Sequence, residues 1–97
     1  MIIRLVQFGN LLTSRQLGRE AFAAFRATLE RERRAEPIVV DFEGVTTFSP
    51  SWGDEFLGAL LDVVDGPLIV RQATNPSVQA TLELLEKIYG PRFRREP

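Results

Sequence analysis

Two hydroxyls and two carboxylates crowd the run Ser49-Pro50-Ser51-Trp52-Gly53-Asp54-Glu55, which follows the β-branched residues 38–40 and Asp41. If a strand ends near Asp41 and a helix begins near Ser51, these groups stand at the carboxyl edge of a sheet beside free helix amides. Domains of the α/β class put working groups at that place. Ser51 and Asp54 have capping-box spacing, so Ser51 is a candidate helix cap. Its hydroxyl is also a candidate phosphoacceptor, since helix amides attract a phosphate while Asp54 and Glu55 repel it. Ser49 is the other possible cap, because proline suits the first helical position, and the sequence leaves both starts open.

Asp54 and Glu55 are favourable at a helix N-terminus with no further role. As a pair they could also act as acid and base or, with Asp41, hold a magnesium ion beside a phosphate. No nucleophile accompanies them, and neighbours on a helix diverge by ~100°, so catalysis is not expected. Trp52 is either a core residue or, half exposed in a first helical turn, a protein-binding anchor. Arg15 is placed to reach a carboxylate or a phosphate.

The remaining inventory narrows the chemistry. The 97 residues contain neither cysteine nor histidine, which removes thiolate nucleophiles, the commonest neutral-pH base and the commonest zinc ligands. Neither a metal nor a cofactor is expected. Twelve basic against thirteen acidic residues leave a net charge of -1, so no overall field draws the chain to nucleic acid or an anionic membrane. No apolar run approaches the ~20 residues of a membrane span, and a cytoplasmic location is the expectation. With 44% hydrophobic and 26% charged residues the composition is that of one ordered domain.

The elements that would position the polar run read as follows. Residues 2–8 suit a relatively wet strand, and Gly9-Asn10 a turn from which Leu11-Leu12 pairs back as a short hairpin. Thr13 and Gln16 have capping-box spacing, with Leu12 and Leu17 as a hydrophobic staple; the helix they open carries Phe22, Phe25 and Leu29 on its apolar stripe. Its mixed-charge end, residues 30–34, reads as a solvated helix terminus. Pro37 opens a buried central strand through residues 38–40, and Trp52, Phe56, Leu57, Leu60, Leu61 and Val64 mark a second helix that stops before Gly66-Pro67. Residues 68–70 form a third buried strand. Asn75 and Ser77 are candidate caps of a last helix with Pro76 at its first position and Gly90-Pro91 as its stop, and residues 91–97 read as a frayed tail. Strand and helix alternate, which predicts an α/β domain over residues 1–90 with a mostly parallel sheet of three to four strands packed with three helices. Residues 2–8 would lie at an edge through which chains could pair.

Asp41-Phe42-Glu43-Gly44-Val45, followed by Phe48-Ser49-Pro50-Ser51-Trp52-Gly53-Asp54-Glu55-Phe56, resembles the STAS-like domains of unknown function, which run an aspartate, a Gly-Val step, a serine pair and an acidic pair into a helix. Thr13-Ser14-Arg15 is similar to the Ser-Arg element of that family. More distantly the chain resembles the STAS domains of anti-sigma-factor antagonists, whose Asp-Ser-Ser-Gly pattern falls here on Ser49, Pro50, Ser51 and Trp52, with Ser51 at the phosphorylatable serine. The resemblance implies a bacterial, non-catalytic signalling domain that binds a regulatory protein, a kinase-like ATPase among the possible partners. Its site would comprise Ser49, Ser51, Trp52, Asp54 and Glu55, supported by Asp41, Ser14 and Arg15. The alternative is a nucleotide- or small-anion-binding sensor using the same helix amides, although no GxxxxGK phosphate loop is present.

Overall fold

A computed structural model describes residues 1–32, 37–71 and 74–96. Along the chain run β1 (Ile2–Arg4), β2 (Leu11–Leu12), α1 (Arg15–Glu32), β3 (Val39–Asp41), β4 (Thr47–Phe48), α2 (Pro50–Val63), β5 (Leu68–Arg71), α3 (Pro76–Tyr89) and β6 (Phe93–Glu96). Four strands form one sheet in the order β1-β3-β5-β6, every pairing parallel, while β2 and β4 make a separate parallel pair. The strand order never reverses. Right-handed crossovers in a single direction therefore stack α1, α2 and α3 on the same side of the sheet.

That stacking gives one core. Ile3, Val40, Leu68 and Val70 of the sheet meet Phe22, Phe25 and Leu29 of α1, Trp52, Phe56 and Leu60 of α2, and Val78, Leu82 and Leu85 of α3. Periods of three and four along the helices and of two along the strands bring these residues to a common interior, as the sequence predicts.

Several local expectations are corrected. Only residues 2–4 of the first run are strand, and Leu5–Phe8 is a 3₁₀ turn. Strand alternation would send Leu5 and Phe8 to opposite faces, whereas the i, i+3 repeat of the turn lets Leu5 be buried while Phe8 packs on Phe25 and Phe56 with ring centroids 5.9 and 5.0 Å away. β2 does not fold back into a hairpin. It pairs with β4, because the Asn10 carbonyl takes the N–H groups of Thr46 and Thr47 and the Leu12 carbonyl takes that of Ser49.

At the head of α1 the cap is Ser14, whose Oγ accepts from Leu17 N at 2.9 Å, and not Thr13. Leu17 is exposed, so no staple forms with buried Leu12. Pro37 precedes β3, which begins at Val39. Asn75 caps α3 as expected, accepting from Ser77 N and Val78 N, but Ser77 does not cap; its hydroxyl accepts from Phe48 N and so ties α3 to β4. Of the expected frayed tail, residues 91–96 are ordered, and Pro97 lies outside the described residues. Phe93 is buried, the Arg92 guanidinium donates to the Leu61 carbonyl at 2.7 Å, and Arg95 pairs with Glu86, so residues 93–96 add a fourth strand to the sheet. Glu30, Arg31 and Glu32 are exposed; Arg33 and Arg34, the rest of that mixed-charge run, lie outside the described residues. Among the described residues no helix is long and apolar enough to cross a membrane.

Candidate functional site

α1 and α2 both begin at the carboxyl edge of the strands, and one serine joins their starts. Ser49 Oγ donates to the Thr13 carbonyl at 2.9 Å and accepts from Trp52 N at 3.2 Å, which makes Ser49 the cap of α2 with Pro50 at the first helical position. The capping role open to Ser51 is thereby excluded. Its half-buried side chain makes no hydrogen bond among the described residues. The expected bend at residues 49–51 does face outward, with Pro50 exposed.

Gly18 sets the distance between the helices. A Cβ there would stand 2.8 Å from the Trp52 carbonyl oxygen and 3.2 Å from Glu55 Cβ, so only glycine permits this approach. The same contact carries Arg15 and Arg19, on the adjoining face of α1, over the acidic pair of α2. Arg15 Nη1 lies 3.2 Å from Asp54 Oδ2 and 2.9 Å from Glu55 Oε1, and Arg19 Nη2 lies 3.4 Å from Glu55 Oε1. From the end of α3, the Tyr89 hydroxyl crosses over Gly58, where any Cβ would collide with it, and donates to Asp54 Oδ1. Three helices are thus tied at two carboxylates.

The electrostatics follow from those contacts. The Tyr89 hydroxyl, and after it Arg15, hold the Asp54 carboxyl below its ordinary value, while Arg15 and then Arg19 hold that of Glu55 down. Glu55 in turn raises Arg15. Burial, reinforced by hydrogen bonding to Asp54, pushes the Tyr89 phenol up to about 12. Near neutrality both carboxylates stay ionised and occupied and the phenol stays protonated. None of the three is poised as a general acid or base.

The other sequence candidates are scattered. Asp41 does not join Asp54 and Glu55: it lies on the opposite face of the sheet, accepting from Glu43 N at 3.1 Å and facing Arg71 at 3.5 Å and Arg4 at 3.8 Å. The acidic set that could have held magnesium therefore does not assemble, and among the described residues no group of three or more metal-ligating side chains converges. Trp52 is 1% exposed and stacked on Phe56 with centroids 5.0 Å apart and planes at 13°, so it is a core residue and not a docking anchor. The anion-binding reading is weakened by the same cap, because Pro50 lacks an N–H and Ser49 already holds the amides of Trp52 and Gly53. An open depression of about 370 Å³ lies elsewhere, between residues 41–45 and Arg71, Thr74 and Asn75, but its Asn75 is saturated by four backbone partners.

Arg19 and Tyr89 escaped the sequence reading. The i, i+4 spacing of Arg15 and Arg19 was the available sign for the first. For Tyr89 the only trace was Gly58, an unexplained small residue inside an apolar helix. Compared with family models, curated proteins and solved structures, the chain matches none.

Proposed function

We propose that the chain is a non-catalytic regulatory domain of the STAS-like kind, in which the adjoining starts of α1 and α2 bind a regulatory protein and phosphorylation of Ser51 switches that binding. The observation that carries this reading is the position of Ser51. Its hydroxyl is half-buried and unbonded among the described residues, one helical turn ahead of the carboxylates that Arg15 and Arg19 clamp.

A phosphate at Ser51 would bring about -1.5 to -2 charges to the helix face shared with Asp54 and Glu55 at i+3 and i+4. It repels both and competes with them for Arg15, forming a charge-assisted bond in their place. Arg15 belongs to α1, so its transfer alters the seam between the two helix starts. A partner fitted to the unmodified seam then loses affinity, which is all a binding switch requires. The surface consists of Ser51, Asp54, Glu55, Arg15 and Arg19, without Trp52. A kinase-like ATPase and a bacterial cytoplasmic setting belong to the reading through the family resemblance.

Affinity capture tests it with three baits: the wild-type chain, the chain carrying phosphoserine at position 51, and Arg15→Glu. A protein retained by the first and lost by the other two is the expected outcome. Identical capture by all three contradicts it.

A further inference from the structure

All-parallel sheets occur almost only with both faces covered. Here the helices occupy one face, and the other carries two rows of side chains set by alternation from buried Ile3, Val40 and Val70. The first row, in register across the sheet, is Ile2, Val39, Ile69 and Arg94; Ile2 is 48% exposed, and none of its three apolar members belongs to the core. The second row is Arg4, Asp41, Arg71 and Glu96. Its charges alternate, and neighbours are joined at 3.8, 3.5 and 3.1 Å.

We infer that this face docks on the same face of a second copy of the chain, about a two-fold axis parallel to the strands. Such an axis reverses the strand order, so Arg4 meets Glu96 of the second copy, Val39 meets its Ile69, and Arg71 of the second copy lies over Asp41, whose carboxylate is 7% exposed beneath its own Arg4 and Arg71. Under that operation the charged row is self-complementary and the central Val39 and Ile69 of the other row meet, while at its two ends Ile2 lies against the aliphatic stem of Arg94 of the second copy. A two-fold axis across the strands would instead set each charge against its own image or the apolar row against the charged one, and the charge pattern rejects it. Each charge already has a partner within its own copy, so docking adds a second counter-charge and buries no lone ion. Four strands spaced ~4.8 Å apart make a face ~19 Å wide. With strands of three to four residues, roughly 10–13 Å long, its area is on the order of 200–250 Å², well below the ~800 Å² per partner of a standard interface, so the dimer is weak.

The face lies across the sheet from Ser51, and its test is independent of the switch. Sedimentation equilibrium on the wild-type chain, carried to about 1 mM, is expected to show a reversible dimer. Arg4→Glu and Glu96→Arg should each weaken it at least ~10-fold, since each sets like charges across the two-fold axis twice. Mixing the two variants should restore dimerisation, because the heterodimer pairs Glu with Arg at both positions. The ion pairs lost within each copy are not regained by mixing, so recovery reports contact between copies. Ile69→Lys, which disturbs no ion pair, should also yield monomer. A wild-type chain that stays monomeric, single swaps or an Ile69→Lys chain that dimerise like the wild type, or a mixture that remains monomeric would each overturn the inference.

Discussion

Gly18 of α1 presses on the backbone of Trp52 so closely that a methyl group at position 18 would stand 2.8 Å from the Trp52 carbonyl oxygen. Backbone cannot retreat as a flexible side chain can. The contact fixes how far Arg15 and Arg19 overhang the first turn of α2, and it links core packing to the polar surface above.

Gly18→Ala is therefore expected to destabilise the fold by about 1–3 kcal/mol through overpacking, although alanine is the better helix former by about 1 kcal/mol. Urea unfolding measures the change. A stabilised variant would show that the helices part without cost.

The two serines of the bend should separate cleanly. Ser49→Ala removes the α2 cap and the donor to the Thr13 carbonyl, and about 1–2 kcal/mol of stability should go with them. Ser51→Ala removes no hydrogen bond among the described residues and should stay within about 0.5 kcal/mol of the wild type. Equal losses in parallel denaturation curves would contradict the assignment of Ser49 as the cap.

Stability should fall at both ends of the pH scale. Asp54 and Glu55 have folded values below their ordinary 3.8 and 4.5, so their contribution is complete above those values and is lost as pH falls through the depressed folded ones. Tyr89 is raised from 10.0 to about 12, so its contribution is complete below pH 10 and is lost as pH climbs toward 12. Tyr89→Phe removes the alkaline limb and weakens the acid one. Melting temperatures of the two chains across pH 2–12 would show it; an unchanged alkaline limb in the variant would place its origin elsewhere.

Much of the architecture was legible because it rests on repetition. The stripe of Phe22, Phe25 and Leu29, the run at Val39 and Val40, and the Asn75-Pro76 start of α3 each satisfy a local rule that the tertiary structure also obeys. The polar details were less so. Thr13 and Ser14 both satisfy capping chemistry, as do Ser49 and Ser51, and the choice falls to long-range bonds such as Ser49 to the Thr13 carbonyl. Residues 91–97 look like a tail because four of the seven are charged and Phe93 is the single large apolar residue among them; the strand at residues 93–96 depends on Leu61 and Arg71, 31 and 25 residues away from their partners Arg92 and Glu96. The clamp on the carboxylates was half visible. Arg15 stood out at a helix start, but its meeting with Asp54 depends on Gly18, whose role appears only when two helices touch.

The most direct measurement is the titration of Glu55, followed by carboxyl carbon resonances, in chains bearing serine or phosphoserine at position 51, each with Arg15 intact and with Arg15→Ala. If the phosphate takes Arg15 from the carboxylates, the Glu55 midpoint rises on phosphorylation, and it rises more with Arg15 present than without it. An equal rise in both backgrounds would mean simple repulsion between phosphate and carboxylate, and the proposed exchange of Arg15 would be contradicted.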